Sequence, residues 1–304
     1  MRAAAILGLG CSVTDLRPFQ TDNSVEWRIA MPASAADADA IVVFGGDGTV
    51  HRHLGQLVQL GLPVLVVPAG SGNDFAGSLA LRGVRDSLGA WQKFCADAGN
   101  VRQIDLGIIT PLDVGETPEP DLSAALGARY FCCVAGIGLD AEVARRANRL
   151  PRWLRGNGGY VLALLSTIFT FAPFPLKILL PGDGQTATAS WTISSDQPTL
   201  LAAFANTPLY GGGMKIAPRA KMDDRVLDVC QVGGIDPFRF LSLFPRVYAG
   251  KHLAIREVEY FQAPRLRVET KRPFEVYADG EFVCRTPVEV AVQPAALRVI
   301  TLSA

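Results

Sequence analysis

The sequence predicts an α/β protein of two domains, an N-terminal doubly wound α/β domain and a C-terminal, mainly antiparallel, β-sandwich-like domain. Three observations lead to this fold class. The chain has 304 residues, 49% of them hydrophobic, so it can bury one large core or two ordinary ones. Its N-terminal third alternates strand-like and helix-like patterns. The remainder holds short apolar runs separated by Gly, Pro, Asp and Asn.

The N-terminal part shows the strand–helix–strand rhythm of a parallel sheet. Apolar residues at helical spacing after Gly48 predict a helix that runs to about Gly61. The predicted elements, in order, are the strands AAAILGLG, VEWRIA and AIVVF, this helix, the strand LPVLVVPAG and a second helix that opens at NDFAGSLAL. We therefore expect a doubly wound domain over residues 1–106, to which a last strand at about 295–304 could return.

The C-terminal part reads as an antiparallel sheet interrupted by helices around 141–170 and 237–253. Its predicted strands are RYFCCVAG, LKILLP, ATASWTISS, TLLAAFANT, RVLDVCQV, RLRVET, FEVYADGEFVC, VEVAVQP and LRVITL. The polar, Pro-rich segment TPLDVGETPEPDLSAALGA is expected to be an exposed loop. We place the domain boundary just before that loop, so the second domain covers residues 107–294.

The amino-acid composition argues against nucleic-acid binding and indicates the cellular location of the protein. Lys+Arg and Asp+Glu both number 29, so there is no basic surplus of the kind that nucleic-acid binding requires. Six scattered cysteines in a chain with a full core indicate reduced thiols and a cytoplasmic protein. The longest apolar segment, YVLALLSTIFTFAPF, contains Pro173 and is shorter than the roughly 20 residues of a spanning helix. We expect at most peripheral contact with the inner face of the membrane.

The segment FGGDGTV supplies unusual backbone freedom between a strand and a helix, with Gly45, Gly46, Asp47, Gly48 and Thr49 in succession. Such a turn can present several backbone N–H groups to an anion, because side chains that would block the approach are missing. Thr49 can cap the following helix. The alternative is a type I′ hairpin turn, which the helical pattern downstream disfavours.

A second loop of this kind follows the next predicted strand and contains Gly70, Ser71, Gly72, Asn73 and Asp74. Taken alone, Asp74 could be an N-cap or a functional residue. Two such loops at the ends of successive parallel strands would lie side by side, which favours a nucleotide phosphate site. The lysine of a P-loop is absent from both.

These loops and four later segments resemble the diacylglycerol kinase catalytic-domain family. That family includes sphingosine kinases and bacterial lipid kinases and is related more distantly to NAD kinases. The matching segments, in the order of the family, are GGDGT, PAGSGNDFA, VRQIDLG, FCCVAGIGLDAEV, AFANTPLYGGGMKIAPRAKMDDRVLDV and VYADGEFV. NAD kinases share the first motif but lack the series, and the resemblance covers nearly the whole chain.

The resemblance implies an ATP-dependent, Mg²⁺-requiring kinase that phosphorylates a hydroxyl of a diacylglycerol-like or sphingoid lipid. It makes residues 1–106 the nucleotide-binding domain, with both glycine loops on the phosphates, and residues 107–294 the acceptor-binding domain. Asp279 would be the general base, assisted by Glu281. From the residues alone, ADGE between two strand-like runs is an ordinary hairpin turn, and both interpretations can hold together.

The resemblance also implies two metal sites. Asp47, Asp74 and Asp105 would surround the catalytic Mg²⁺, partly through water, as a hard cation with oxygen ligands allows. A second, structural Mg²⁺ would be bound by the carbonyls of Lys221 and Val226 and the carboxylate of Asp224.

Two departures from the family pattern bear on these sites. Arg225 stands where the family usually has a glycine, and it would strain the loop if that position needs a positive φ. The usual Asn-Pro-x-Ser-Gly loop is replaced by LGLGCSVTDLRPF, in which Cys11, Ser12 and Thr14 could take over part of the nucleotide contact. Nucleotide affinity and identity therefore stay open.

The expected partner is a lipid substrate presented at a membrane surface, and a homodimer is possible. An acyl-chain groove could be formed by the apolar helix of WLRGNGGYVLALLSTIFTF, and RRANRLPRWLR could face anionic lipid or simply be a solvated helix end. The histidines at 51, 53 and 252 show no metal or triad spacing and are interpreted as surface or loop-supporting residues. Two other functions stay open: a kinase of a soluble alcohol, and a catalytically silent regulator that binds nucleotide or lipid.

Overall fold

The structure is a computed structural model that describes residues 1–97, 99–112, 127–149, 157–182 and 191–303. The chain divides into two compact units, Met1–Leu106 with Pro294–Ala304, and Gly107–Gln293. The predicted α/β fold class is confirmed, with a parallel sheet in the first unit and antiparallel pairing in the second.

The first elements of the chain build the first unit. In chain order they are β1 (Arg2–Leu7), α1 (Val13–Leu16), β2 (Glu26–Arg28), β3 (Ala40–Gly45), α2 (Asp47–Leu60), β4 (Val64–Pro68), α3 (Asp74–Ser78), α4 (Val84–Asp97) and β5 (Val101–Pro111). The last residues of β5, from Gly107 onward, belong to the second unit. Short 3₁₀ turns lie at Arg17–Phe19 and Ala35–Asp37. The predicted strand VEWRIA is thus reduced to three residues, and α2 ends one residue before Gly61, as its spacing predicts.

The sheet of the first unit is parallel, with β1 between β2 and β3 and with β4 on the far side of β3. All six residues of β3 are buried, which is typical of a central parallel strand covered on both faces. Val50, Leu54 and Leu57 of α2 are buried on one helical stripe. Gly61 follows the helix with a φ of 62° and donates its N–H to Leu57 and Val58, which ends the helix.

The second unit continues with further strands and helices. They are β6 (Arg129–Phe131), β7 (Val134–Gly138), α5 (Leu139–Arg149), α6 (Asn157–Ile168), β8 (Phe174–Pro181), β9 (Trp191–Ala205), β10 (Leu227–Gly233), α7 (Pro237–Leu243), α8 (Pro245–Tyr248), β11 (Val258–Ala263), β12 (Arg265–Thr270), β13 (Glu275–Ala278), β14 (Glu281–Arg285) and β15 (Val288–Ile300). A 3₁₀ turn lies at His252–Ala254. Residues 113–126 of the predicted exposed loop lie outside the described part of the chain.

The long strand β9 organises the second unit, because it pairs antiparallel with β7, β8 and β10. From β8 the order continues through β12 to the first residues of β15, and from β7 through β13 to β14. Large buried side chains such as Phe131, Phe174, Phe204 and Leu266 fill one core on this framework.

The last residues of β15 return to the first unit, where Val299 pairs with Val64 of β4. Asn100 fixes this return. It is fully buried, and its side-chain amide donates to the carbonyl oxygens of Ala90 in α4, at 2.9 Å, and Thr301, at 2.6 Å. The Thr301 N–H donates in turn to the Asn100 carbonyl at 3.0 Å. One amide side chain therefore joins helix α4 to the returning segment.

Replacing Asn100 by Ala should lower the free energy of unfolding by about 2–3 kcal/mol, since two buried carbonyls lose their donor. The measurement is urea unfolding followed by tryptophan fluorescence, because Trp91 is buried beside Trp27 in this unit. Lys93→Ala, at an exposed position of α4, is the matched control and should change little. An Asn100→Ala protein as stable as that control would contradict the assignment.

Candidate active site

The two glycine loops of the first unit lie against each other at the ends of β3 and β4. A Cβ on Gly46 would overlap the Gly72 carbonyl oxygen and the Gly70 Cα, and a Cβ on Gly70 would overlap Gly46. The Asp47 N–H donates to the Gly72 carbonyl at 3.1 Å. Only glycine fits at these two crossing points, so the backbones of both loops come within van der Waals contact.

The Asp47 carboxylate holds the second loop in place. Its Oδ2 accepts from the Asp74 N–H and its Oδ1 from the Phe75 N–H, both at 3.0 Å. These are first-turn N–H groups of α3, so a residue from the first loop caps the helix of the second. Sequence reasoning missed this contact, because a cap is ordinarily sought among the residues just before the helix.

Two expectations about helix caps are wrong. Thr49 does not cap α2, because the helix begins at Asp47 with Gly46 as N-cap and Thr49 lies within the first turn. Asp74 is not the N-cap of α3, since Asn73 holds that position. The Asn73 side chain closes its own loop instead, accepting from the Gly70 N–H at 3.0 Å and donating to the Gly70 carbonyl at 2.8 Å.

The loop backbone stays accessible. Gly70 and Ser71 are exposed, while Gly46, Asp47, Gly48, Thr49, Gly72, Asn73 and Asp74 are half-buried, and Gly45 is the buried last residue of β3. The arrangement therefore offers backbone N–H groups next to two half-buried carboxylates, which can take up an anion together with a cation.

Asp105 has a different setting. It is 4% exposed, and its Oδ1 accepts from the Ala295 N–H at 2.8 Å. Among the described residues, the ligand atoms of Asp47, Asp74 and Asp105 do not form a group in which all lie within 4.8 Å of one another. Direct binding of one ion by all three carboxylates would need a rearrangement, whereas binding partly through water would not.

The first loop of the chain is closed by its own polar groups. Ser12 is the N-cap of α1, and its N–H donates to the Asp15 carboxylate at 2.7 Å. The hydroxyls of Ser12 and Thr14 share a hydrogen bond of 2.6 Å. Burial is the largest effect on Cys11 and raises the pKa of its thiol. LGLGCSVT thus forms a short capped turn after β1.

In the second unit, Asp279 lies in the two-residue turn between β13 and β14. Ala278 and Glu281 are paired, and Asp279 and Gly280 have φ values of 50° and 84°, as a type I′ hairpin requires. The hairpin interpretation of ADGE therefore describes the backbone correctly. Glu281 begins β14 and is exposed.

The Asp279 carboxylate is anchored by backbone N–H groups far away in sequence. Its Oδ2 accepts from the Cys132 N–H at 2.9 Å, and its Oδ1 accepts from Cys133 at 2.8 Å and Val134 at 3.3 Å. The Cys132 thiol lies 3.4 Å from Oδ2. FCCVAG was predicted as one strand, but residues 132 and 133 form a bend between β6 and β7, which turns these N–H groups toward Asp279.

The segment of the expected second metal site is a turn before β10. Lys221 is exposed, Asp224 and Val226 are half-buried, and the Val226 N–H lies 3.4 Å from the Asp224 carboxylate. Arg225 has a φ of 63°, the left-handed conformation that glycine adopts more easily. Nearby, burial raises the pKa of Asp228, which accepts from the Tyr260 hydroxyl at 2.7 Å.

An apolar cavity is the other prominent feature of the second unit. It is walled by α5, α6, α7, α8, β9, β10 and the segment after Tyr210. The apolar lining side chains are Leu139, Val143, Leu164, Leu201, Met214, Ile216, Val232, Ile235, Phe240, Leu243, Phe244, Val247, Ile255 and Val258. Only Asp140, Tyr210 and His252 bring polar groups. His252 is buried, so the surface interpretation of this histidine is wrong, although it does support a loop.

Comparison with known proteins agrees with the order of these features. A family profile for the diacylglycerol kinase catalytic domain matches residues 12–115, and one for the YegS C-terminal NAD kinase beta sandwich-like domain matches residues 133–301. A diacylglycerol kinase of Mycobacterium tuberculosis is 34% identical over 268 residues, which is 88% of this chain and 78% of that protein. This chain belongs to the diacylglycerol kinase and YegS-like lipid kinase family.

Other matches agree with membership of this lipid kinase family. A protein of Chromohalobacter salexigens named probable lipid kinase YegS-like is 28% identical over 89% of this chain and 78% of its own length. A crystal structure of a diacylglycerol kinase from Bacillus anthracis has a TM-score of 0.63 at 20% identity and covers 99% of this chain and 96% of that one, so the two share a fold. The kinase is accordingly a phosphotransferase that acts on an alcohol group.

Removing the Asp47 carboxylate should loosen the second glycine loop. We expect Asp47→Ala to lower the free energy of unfolding of the first unit by about 1–2 kcal/mol, because α3 loses the acceptor for two N–H groups. Asp47→Asn keeps one acceptor oxygen and should cost less. Urea unfolding is the measurement, with Arg52→Ala on the exposed face of α2 as control. Equal stability of Asp47→Ala and the control would rule out this role.

Proposed function

We propose that this protein is an ATP-dependent, Mg²⁺-requiring lipid kinase that transfers the γ-phosphate to a hydroxyl of a diacylglycerol-like or sphingoid lipid. The observation that carries this proposal is the cavity of the second unit, whose walls are apolar except at Asp140, Tyr210 and His252. An acyl chain gains free energy by leaving water for such walls, whereas a small soluble alcohol would need polar partners for its hydroxyls.

The glycine loops support the nucleotide part of the proposal. Because Gly46 and Gly70 let the two loops cross in contact, the backbones of both loops lie side by side and can bind the same phosphates. The residues that would hold the phosphates are Gly45, Gly46, Gly48, Thr49, Gly70, Ser71, Gly72 and Asn73. Asp47 and Asp74 would hold Mg²⁺, with Asp105 acting through water because it is buried and bonded to Ala295. The ion, when bound, neutralises phosphate charge.

Asp279 is the proposed general base. Backbone N–H groups fix its carboxylate, so its oxygens are held in one orientation from which they can accept a proton. The Cys132 thiol, which is a weak hydrogen-bond donor, lies 3.4 Å from Oδ2. We infer that the acceptor hydroxyl takes the place of this thiol and gives its proton to Oδ2 as its oxygen bonds to the γ-phosphorus. The bond between that phosphorus and the bridging oxygen of ADP breaks in the same step, and ADP leaves with the electron pair. Glu281, exposed at the start of β14, would assist.

The proposed membrane contact is an apolar surface formed by Leu162, Leu165, Phe169 and Phe238. All four side chains are exposed, and Phe169 and Phe238 form an edge-to-face pair with centroids 5.4 Å apart. Leu164 and Phe240, neighbours of this surface in sequence, line the cavity. In the described residues no helix is long and apolar enough to cross a membrane, so contact at this surface would be peripheral.

The basic segment RRANRLPRWLR, which begins in α5, supports membrane contact less well than this apolar surface does. Glu142 bonds both Arg145, at 2.6 Å, and Arg146, at 2.7 Å, so these charges are partly neutralised. The hydrogen bond from Arg145 is the largest cause that lowers the pKa of Glu142. Arg152, Trp153 and Arg155 lie outside the described residues.

The direct experiment is transfer of radiolabelled γ-phosphate from ATP, with Mg²⁺, to detergent-dispersed diacylglycerol, monoacylglycerol, sphingosine and ceramide, with glycerol as a soluble acceptor. A labelled lipid that requires Mg²⁺ would support the proposal. Label in glycerol alone would favour a kinase of soluble alcohols. Nucleotide binding without any transfer would favour a silent regulator.

Asp279→Asn should lower kcat by about 10²–10⁴-fold, the usual contribution of a general base, while ATP binding persists. The same phosphotransfer assay measures kcat, and equilibrium binding of ATP provides the second readout. Glu281→Gln is the matched control at the exposed neighbour and should lose much less activity. Full activity in Asp279→Asn would remove Asp279 from this role.

Arg225→Gly should stabilise the second unit by about 0.5–1 kcal/mol, because glycine adopts the left-handed conformation without strain. The relief of this strain exceeds the extra conformational entropy that a glycine loses on folding. Asp223→Gly, at a neighbouring position without positive φ, should destabilise instead. Thermal unfolding with and without Mg²⁺ tests both points. A bound structural ion would raise Tm more in Arg225→Gly than in the parent, and Asp224→Asn would abolish the rise.

A further inference from the structure

Two thiols and the proposed general base converge at one point of the second unit. Cys132 and Cys133 are buried and Asp279 is half-buried, and the two sulfurs and one carboxylate oxygen all lie within 4.8 Å of one another. Among the described residues, this is the one group of three or more histidine, cysteine or acidic side chains close enough to share a metal ion. The segment FCCVAG alone does not indicate such a site, because the third ligand lies 146 positions from Cys133.

The backbone of the two cysteines is held through both its donors and its acceptors. The N–H groups of Cys132 and Cys133 donate to the Asp279 carboxylate at 2.9 and 2.8 Å. The Asn206 side chain donates to the Cys132 carbonyl at 3.1 Å, and the Asn206 N–H donates to the Cys133 carbonyl at 2.8 Å. Because this backbone is fixed, the three ligand atoms are already assembled and need little rearrangement to receive an ion.

The spacing and the chemistry of these atoms fit zinc. Zn–S bonds of about 2.3 Å and Zn–O bonds of about 2.0 Å place sulfur and oxygen about 3.5 Å apart around a tetrahedral ion. The Cys132 sulfur lies 3.4 Å from Asp279 Oδ2. Thiolates are soft ligands that select Zn²⁺, whereas Mg²⁺ takes oxygen ligands. Three protein ligands leave the fourth position to water.

We propose that Cys132, Cys133 and Asp279 bind Zn²⁺, and that the bound ion inhibits phosphate transfer by occupying the carboxylate that would accept the proton of the lipid hydroxyl. On binding, each thiol gives its proton to solvent and its sulfur bonds to the ion as a thiolate. The ion compensates the charge of these buried thiolates. It would enter beside half-buried Asp279, next to exposed Gly280. The inhibition rests on the proposed function, because it takes Asp279 to be the general base, whereas binding of the ion does not.

Binding is tested with the metal alone, using Co²⁺ as the absorbing substitute for Zn²⁺. We expect Co²⁺ to give thiolate charge-transfer absorption that Zn²⁺ abolishes by displacement. Cys133→Ser removes one sulfur and should weaken Zn²⁺ binding by more than about 10-fold, since even the loss of a residue that only orients a ligand costs 10–100-fold. Cys284→Ser, at a half-buried position of β14, is the matched control and should bind Zn²⁺ as the parent does.

Asp279→Asn tests the oxygen ligand without changing a buried side chain. It should keep the thiolate absorption with Co²⁺ and weaken Zn²⁺ binding by more than about 10-fold. Absence of thiolate absorption in the parent protein, or equal Zn²⁺ affinity of the parent, Cys133→Ser and Asp279→Asn, would overturn the site.

Inhibition is measured in the phosphotransfer assay with excess Mg²⁺, and each protein is compared with its own activity without zinc. Zn²⁺ should compete with the lipid and not with ATP, and Cys133→Ser should need more than about 10-fold more Zn²⁺ for the same inhibition. Unchanged inhibition of Cys133→Ser would place the ion elsewhere and overturn the proposal. Failure of phosphate transfer without zinc would sink the proposed function alone, because the Co²⁺ spectra still decide the metal site.

Discussion

The organisation of the first unit depends on one carboxylate. Asp47 belongs to the loop after β3, yet its two oxygens accept the first N–H groups of α3, which belongs to the loop after β4. This contact, with the Asp47 N–H bonded to Gly72, sets how closely the two glycine loops approach. Because the same residue fixes both loops, a shift of one loop also shifts the other. The backbone N–H groups of the two loops therefore form one anion-binding surface.

In the second unit, the Asp279 carboxylate is likewise held by backbone N–H groups that are distant in sequence. A carboxylate in a tight turn is bonded by backbone N–H groups of Cys132, Cys133 and Val134, and the N–H of Asp279 returns a bond to Val134. In both units, main-chain donors help to position an acidic side chain. Such donors cannot rotate away as a flexible side chain can, so they hold the carboxylate in one orientation.

Much of the fold follows from local pattern, whereas the site depends on contacts that local pattern does not encode. The buried run of β3, the stripe of α2 and the Asp-Gly turn before β14 are visible in sequence because neighbours within four residues specify them. The donors of Asp279 lie up to 147 positions away. The cap of α3 lies 27 positions away, so the nearby Asp74 is the wrong candidate for that helix. His252 looked like a surface residue because a lone histidine carries no periodic signal, and its burial is set by packing of the cavity walls.

The return of the last strand has a consequence for the order of folding. Asn100 is bonded to Thr301 across 201 positions, and β4 gains Val299 as a neighbour only through that return. On a ribosome, the first unit is therefore left without one of its strands until all of the second unit has been synthesised. The second unit, Gly107–Gln293, is continuous in sequence and can complete its own pairing first. Vectorial synthesis would then favour a nascent chain that acquires its apolar cavity before its glycine loops are fully supported.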